Sequence, residues 1–133
     1  MSSHRRVLYV DDNQDSREMV SFMLRYSNLN CEIISVDSAE SAISLIARQT
    51  FDFYILDYAL PEMSGIELCR EIRKSDPTTP ILFFTAMARE IDRLNGLKAG
   101  ANEYLIKPND LNRLTKTVER LLAGNLSVLE IST

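Results

Sequence analysis

Five short apolar runs divide the chain, and none of them alternates regularly with polar residues. Strands with one face in solvent show such alternation, whereas strands that are covered on both faces do not. We therefore predict buried strands at residues 7–10, 33–36, 53–56, 81–84 and 103–106.

The segments between these runs have the periodicity of amphipathic helices. Apolar residues recur at spacings of three and four positions, so that one face of each helix is expected to cover the sheet. Those positions are Met19, Phe22, Met23 and Tyr26; Ala42, Ile43, Ile46 and Ala47; Ile66, Leu68, Cys69 and Ile72; Ile91, Leu94 and Leu97; and Leu111, Leu114, Val118, Leu121 and Leu122.

Helix boundaries are indicated by capping chemistry as well as by period. Asp37 with Glu40 has the spacing of a capping box. Ser64 with Glu67 has the same spacing. Gly100 follows the fourth helix, at a position that favours a left-handed residue.

The element order is a strand followed by a helix, repeated five times. Parallel neighbours need a crossover connection, and a helix provides it, so the order predicts a parallel sheet. We predict an α/β fold: one doubly wound (βα)5 flavodoxin-like domain with strand order 2-1-3-4-5 over residues 1–123. The tail at 124–133 is too short for a domain, and an extra strand, a partner contact and the start of a linker stay open as its roles.

Composition narrows the function classes. A chain of 133 residues with 45% hydrophobic and 26% charged residues is expected to form a single globular domain. Its net charge of -4 disfavours direct binding to nucleic acid, which depends on Lys and Arg neutralising phosphates.

No apolar run approaches the length of a membrane span, and no signal sequence is evident, so we expect a cytoplasmic protein without membrane insertion. Cys31 and Cys69 are expected to be reduced and structural.

Three carboxylates are predicted to meet at one edge of the sheet. Ligands bind open α/β sheets beyond the carboxyl ends of the strands, where the strand order reverses, and here that point lies between strands 1 and 3. Asp11 and Asp12 follow strand 1, and Asp57 follows strand 3. Crowded carboxylates need a compensating cation, and Mg²⁺ prefers such oxygen ligands. One carboxylate can then act as a nucleophile toward phosphorus.

Two further strand ends add groups suited to phosphate oxygens. Thr85 ends strand 4 and supplies a hydroxyl, and Lys107 follows strand 5 and supplies a cation. Phosphoryl transfer depends mainly on positioning and on stabilising charge on the phosphoryl oxygens. These residues therefore indicate an aspartyl-phosphate site.

Four segments carry a resemblance to response-regulator receiver domains that covers residues 5–123. They are VLYVDD at 7–12, ILDYALPEMSG at 55–65, FFTA at 83–86 and GANEYLIKP at 100–108. The resemblance implies that Asp57 is the phosphoacceptor. It also implies that Asp12 binds Mg²⁺ directly, that Asp11 acts mainly through metal-bound water, and that the Ala59 carbonyl completes the protein ligands.

The resemblance also implies a switch and its partners. Lys107 would pair with the phosphoryl group or Asp57, Thr85 would move to bond the phosphate, and Tyr104 would swing inward. This would change the surface of helix 4, strand 5 and helix 5 for a downstream protein effector. The donor would be a histidine kinase or a histidine phosphotransfer protein, and the Lys107–Pro108 peptide would be cis.

The resemblance implies that the domain catalyses its own phosphorylation and is not a turnover enzyme. We expect slow self-dephosphorylation, because neither Ala59 nor Met87 can orient an attacking water by hydrogen bonding. The main alternative is a receiver-like scaffold that is never phosphorylated, although such domains usually lack one of the acidic residues, the Thr or the Lys. A haloacid dehalogenase-like phosphatase would need a second Asp where Ala59 stands. A flavin-binding domain is disfavoured because Asp11 and Asp12 would repel the flavin phosphate.

Overall fold

The computed structural model describes residues 4–124, and these form a sheet of five parallel strands, in the predicted strand order 2-1-3-4-5, with five helices. The alternatives for the tail therefore concern residues that lie almost wholly outside the described part of the chain. The elements are β1 (Arg5–Val10), α1 (Gln14–Arg25), β2 (Cys31–Val36), α2 (Ala39–Ile46), β3 (Phe53–Leu56), α3 (Gly65–Ser75), β4 (Ile81–Thr85), α4 (Glu90–Ala99), β5 (Glu103–Ile106) and, after a 3₁₀ turn at Leu111–Arg113, α5 (Leu114–Leu122).

The sheet separates two apolar clusters, as expected for a doubly wound fold. Alternate residues of β1 point to opposite faces, so that Leu8 and Val10 join the cluster under α2 and α3, while Val7 and Tyr9 join the cluster under α1 and α5. The central strands β1, β3 and β4 are buried on both faces, apart from the first residues of β1. The expectation that β2 is covered on both faces was wrong, because β2 is an edge strand and is partly exposed.

Two helix faces differ from the prediction. On α1 the sheet is contacted by Val20 and Leu24, while Phe22 and Tyr26 are 60% and 73% exposed. The helix thus carries two neighbouring apolar stripes, and the one that contains Val20 and Leu24 faces the sheet. On α4, Ile91 is 52% exposed, because small residues face the sheet there instead.

The capping predictions have mixed outcomes. The Ser64–Glu67 capping box is present with both of its hydrogen bonds, and Gly100 has the left-handed φ of 122°. The prediction of a capping box at Asp37 was wrong. The Ser38 hydroxyl instead accepts a hydrogen bond from the Ser41 amide at 3.1 Å, so that α2 begins one residue later.

Candidate functional site

The carboxyl ends of β1 and β3 bring three carboxylates together. Val10 pairs with Leu56 in the parallel register of the two strands, so that Asp11 and Asp57 leave the sheet side by side. The Asp57 amide donates to the Val10 carbonyl at 2.9 Å, which extends the ladder to the acceptor position. Together with Asp12, these residues offer oxygens that all lie within 4.8 Å of one another. Asp11 and Asp57 are buried, whereas Asp12 is exposed.

Lys107 supplies the positive charge at this cluster. Its Nζ lies 2.5 Å from Asp11 Oδ2 and 3.2 Å from Asp57 Oδ2. The same nitrogen lies 3.5 Å from the Ser16 hydroxyl at the start of α1. The residue follows β5, and its peptide bond to Pro108 is cis. One ammonium group is thus shared between two buried carboxylates.

The side chains of Thr85 and Tyr104 both form hydrogen bonds with the backbone of Met87. Thr85 is fully buried at the end of β4, and its hydroxyl accepts a hydrogen bond from the Met87 amide at 3.2 Å. The Tyr104 hydroxyl donates to the Met87 carbonyl at 2.6 Å. Tyr104 is 6% exposed and is therefore buried. A Cβ on Gly96 would lie 2.9 Å from its ring, so the glycine of α4 leaves the space that the ring fills.

Burial raises the pKa of Asp57 above its ordinary value of 3.8. Hydrogen bonding with the Thr85 hydroxyl and the charge of Lys107 oppose this rise in pKa, while the neighbouring Asp11 carboxylate adds to it. The Ala59 amide donates to Asp57 Oδ1 at 3.3 Å. The environment of the Asp57 carboxyl therefore disfavours its negative charge even beside Lys107.

Reasoning from the sequence missed three residues that support this cluster. The Tyr9 hydroxyl donates to Asp11 Oδ2 at 2.6 Å, and Arg17 Nη1 donates to the Asp11 carbonyl at 2.7 Å. Gly65 packs directly on the backbone of Asp57, where an added Cβ would lie 2.0 Å from the carbonyl oxygen. For Tyr9 a signal was available, because positions two apart in a strand share a face.

The sequence model of the response regulator receiver domain family matches residues 7–119. The chain belongs to this family. It is 36% identical to the transcriptional regulatory protein TrcR of Mycobacterium tuberculosis, over 88% of this chain and 45% of that protein. It is a receiver domain, and the relatives that it matches are response regulators of two-component systems.

Solved structures of receiver domains share the fold. A CheY-like receiver domain protein from Methanospirillum hungatei superposes with a TM-score of 0.82 at 26% identity, covering 92% of this chain and 97% of that one. The response regulator TrrA of Thermotoga maritima, solved in complex with Mg²⁺–BeF, gives a TM-score of 0.78 at 30% identity, covering 88% and 98%. The chain spans about half the length of the curated relatives it matches. Within residues 4–124, no helix is both long and apolar enough for a membrane span.

The raised pKa of Asp57 predicts how the stability of the receiver domain depends on pH. A carboxyl whose pKa is higher in the folded state contributes stability below its unfolded pKa, and this contribution is lost as the pH rises through the folded pKa. We therefore expect Asp57→Asn to raise the free energy of unfolding at neutral pH in a chelator, and the gain to vanish below about pH 3.8.

Urea denaturation across this pH range measures the effect. Asp37→Asn is the matched control, because Asp37 is exposed beside α2 and the same substitution there removes no buried charge. Equal stability of Asp57→Asn and the wild type at neutral pH would contradict the expectation.

Proposed function

We propose that this receiver domain is a phosphorylation switch that accepts a phosphoryl group on Asp57. The observation that carries the proposal is the convergence of three carboxylates and one lysine at the strand-order reversal between β1 and β3. A buried carboxylate beside an ammonium and a hydroxyl is the set of groups that phosphoryl transfer requires. The domain would catalyse its own phosphorylation without being a turnover enzyme.

The donor set fits Mg²⁺, which prefers carboxylate and carbonyl oxygens and is typically held by one or two carboxylates. We propose Asp11, Asp12, Asp57 and the Ala59 carbonyl as the protein groups that hold it. When bound, the ion would neutralise charge on the phosphoryl oxygens. The TrrA complex with Mg²⁺–BeF supports this assignment by similarity.

The proposed transfer moves a phosphoryl group from a histidine nitrogen of the donor to Asp57. A carboxylate oxygen of Asp57 forms a bond to phosphorus while the bond between phosphorus and the donor nitrogen breaks, and the histidine keeps the electron pair and takes a proton. Lys107 Nζ, 3.2 Å from Asp57 Oδ2, lies where it can pair with a phosphoryl oxygen. The Thr85 hydroxyl, which hydrogen-bonds with the Asp57 carboxyl, would donate to a phosphoryl oxygen instead. The donor would be a histidine kinase or a histidine phosphotransfer protein.

Output is proposed to occur through the surface formed by α4, β5 and α5. Because Thr85 and Tyr104 both bond to the Met87 backbone, movement of the Thr85 hydroxyl would be transmitted to the buried Tyr104 ring through Met87. Ile91 and Leu94 are exposed on α4 of this surface and offer apolar contact area. We propose that a downstream protein binds this surface and that these residues do not bind nucleic acid directly.

Cys31 and Cys69 are free thiols, as a reducing cytoplasm would maintain them.

Intact-mass analysis tests the acceptor. The wild type is incubated with a small-molecule acyl phosphate, with and without Mg²⁺, beside Asp57→Asn and the matched control Asp37→Asn. We expect one added phosphoryl group in the wild type and the control, dependent on Mg²⁺, and none in Asp57→Asn. If the wild type gains no phosphoryl group and also fails to bind beryllium fluoride, the chain is an unphosphorylated receiver-like scaffold.

We also expect the phosphoryl group to be retained for minutes or longer after the donor is removed. Hydrolysis needs a side chain that can orient the attacking water, and neither Ala59 nor Met87 has a group that donates or accepts strongly. The Met87 backbone is already engaged by Thr85 and Tyr104. Mass spectra recorded over time give the lifetime, and Ala59→Asn, which adds a polar amide, is expected to shorten it. A wild-type lifetime of seconds would contradict this explanation.

A further inference from the structure

Tyr9 is a polar residue in an apolar environment. It lies on the face of β1 that packs under α1 and α5, fully buried in a cluster that includes Val20, Leu24 and Leu114. A buried phenol needs a hydrogen-bond partner to offset its loss of water. Its hydroxyl donates to Asp11 Oδ2 at 2.6 Å, two positions further along the same face. A phenylalanine would fill this space equally well but could not make the bond.

Three donors from three parts of the chain hold the Asp11 carboxylate. Tyr9 and Lys107 donate to Oδ2, and the Asn13 amide donates to Oδ1 at 2.9 Å. A carboxylate oxygen accepts about two hydrogen bonds, so the two side chains engage the capacity of Oδ2, whereas Oδ1 keeps acceptor capacity. These contacts also fix the rotation of the carboxylate group. The donors thus determine which oxygen of Asp11 is free for a cation or its water.

We propose that Tyr9 is a positioning residue of the metal site, and that it orients Asp11 toward Mg²⁺ without itself binding the ion. The proposal rests on the proposed function. Tyr9 is suited to this role because it is a neutral donor that adds no positive charge to compete with the ion.

Tyr9 also affects how Lys107 is shared. The ammonium bridges Asp11 and Asp57, at 2.5 Å and 3.2 Å from their respective Oδ2 atoms. When Tyr9 is replaced by phenylalanine, Lys107 is the remaining side-chain donor to Asp11 Oδ2. We expect Lys107 then to shift toward Asp11 and away from Asp57. Partners that orient metal ligands typically change metal affinity by about one to two orders of magnitude when they are removed.

Calorimetric titration with Mg²⁺ alone tests the proposal on the wild type, Tyr9→Phe and Tyr54→Phe. Tyr54 is the matched control, since it is a 2% exposed tyrosine on β3 that packs on the opposite face of the sheet, and the same oxygen is deleted. We expect Tyr9→Phe to bind Mg²⁺ about tenfold more weakly and Tyr54→Phe to bind like the wild type. Thermal unfolding in a chelator checks that each variant is folded.

The outcomes separate this proposal from the proposed function. Wild-type affinity in Tyr9→Phe, or an equal loss in both variants, overturns the role of Tyr9 and leaves the proposed function standing. A wild type that does not bind Mg²⁺ overturns both. If Tyr9→Phe does not fold, NMR on the wild type decides: Mg²⁺ is expected to shift the Tyr9 ring and hydroxyl resonances more than those of Tyr54, and smaller or equal shifts overturn the proposal.

Discussion

Gly65→Ala is expected to lower the free energy of unfolding by about 3 kcal/mol and to abolish phosphoryl acceptance by Asp57. The added Cβ would lie 2.0 Å from the Asp57 carbonyl oxygen and 3.0 Å from the Tyr58 Cα. These are backbone atoms, which cannot turn aside as a flexible side chain can. The Gly65 amide also donates to the Tyr58 carbonyl at 2.9 Å, so that the start of α3 is docked on the segment that follows Asp57.

The methyl group must therefore displace either α3 or the Asp57 segment, and each movement disturbs the position of the acceptor. Urea denaturation and intact-mass analysis measure the two effects. Gly124→Ala is the matched control, because no atom lies within 4 Å of the Cβ position and only the positive φ of 89° opposes the substitution. We expect that control to cost about 1 kcal/mol and to leave phosphorylation unchanged. Normal phosphorylation of Gly65→Ala would show that the site tolerates the displacement.

Most of the fold could be predicted because its signals are local. The central strands are continuous apolar runs, and α3 buries Ile66, Leu68, Cys69 and Ile72 as the period predicts. The faces of α1 and α4 could not be predicted, because their orientation depends on contacts with other elements. On α4, Gly96 faces the sheet and Ile91 is exposed. The rings of Phe83 and Tyr104 occupy the space that a side chain at position 96 would need.

The candidate site was predictable for a different reason. Parallel topology places every strand end at one edge of the sheet, so that polar residues at those ends become neighbours wherever they lie in the sequence. Supporting residues such as Gly65 are harder to find, because their role is a close contact between α3 and the end of β3. The hydrogen bonds of Arg73 to the Gly100 carbonyl and to Asn102 are equally hard to predict, since no sequence period relates these positions.

Lys107→Met is expected to lower the free energy of unfolding by about 3 kcal/mol at neutral pH in a chelator. Methionine keeps an unbranched apolar chain but removes the ammonium that neutralises Asp11 and Asp57, whose side chains are 0% and 10% exposed. Breaking a buried ion pair typically costs about 3 to 5 kcal/mol, and the lower figure applies because the Lys107 side chain is 16% exposed. Lys98→Met is the matched control, because Lys98 is an exposed lysine of α4.

The cost of Lys107→Met is expected to depend on pH and on Mg²⁺. Lys107 lowers the pKa of Asp57, so its removal lets that pKa rise further above 3.8. A raised carboxyl pKa gives stability that is lost as the pH rises through the pKa of the folded state. The loss of unfolding free energy in Lys107→Met should therefore shrink as the pH falls and Asp57 takes up a proton.

Mg²⁺ should also restore more stability to Lys107→Met than to the wild type, since a divalent cation replaces the missing charge. Urea denaturation at neutral and acid pH, with and without Mg²⁺, measures both effects. A deficit that is independent of pH and Mg²⁺ would mean that Lys107 stabilises the fold by packing rather than by its charge.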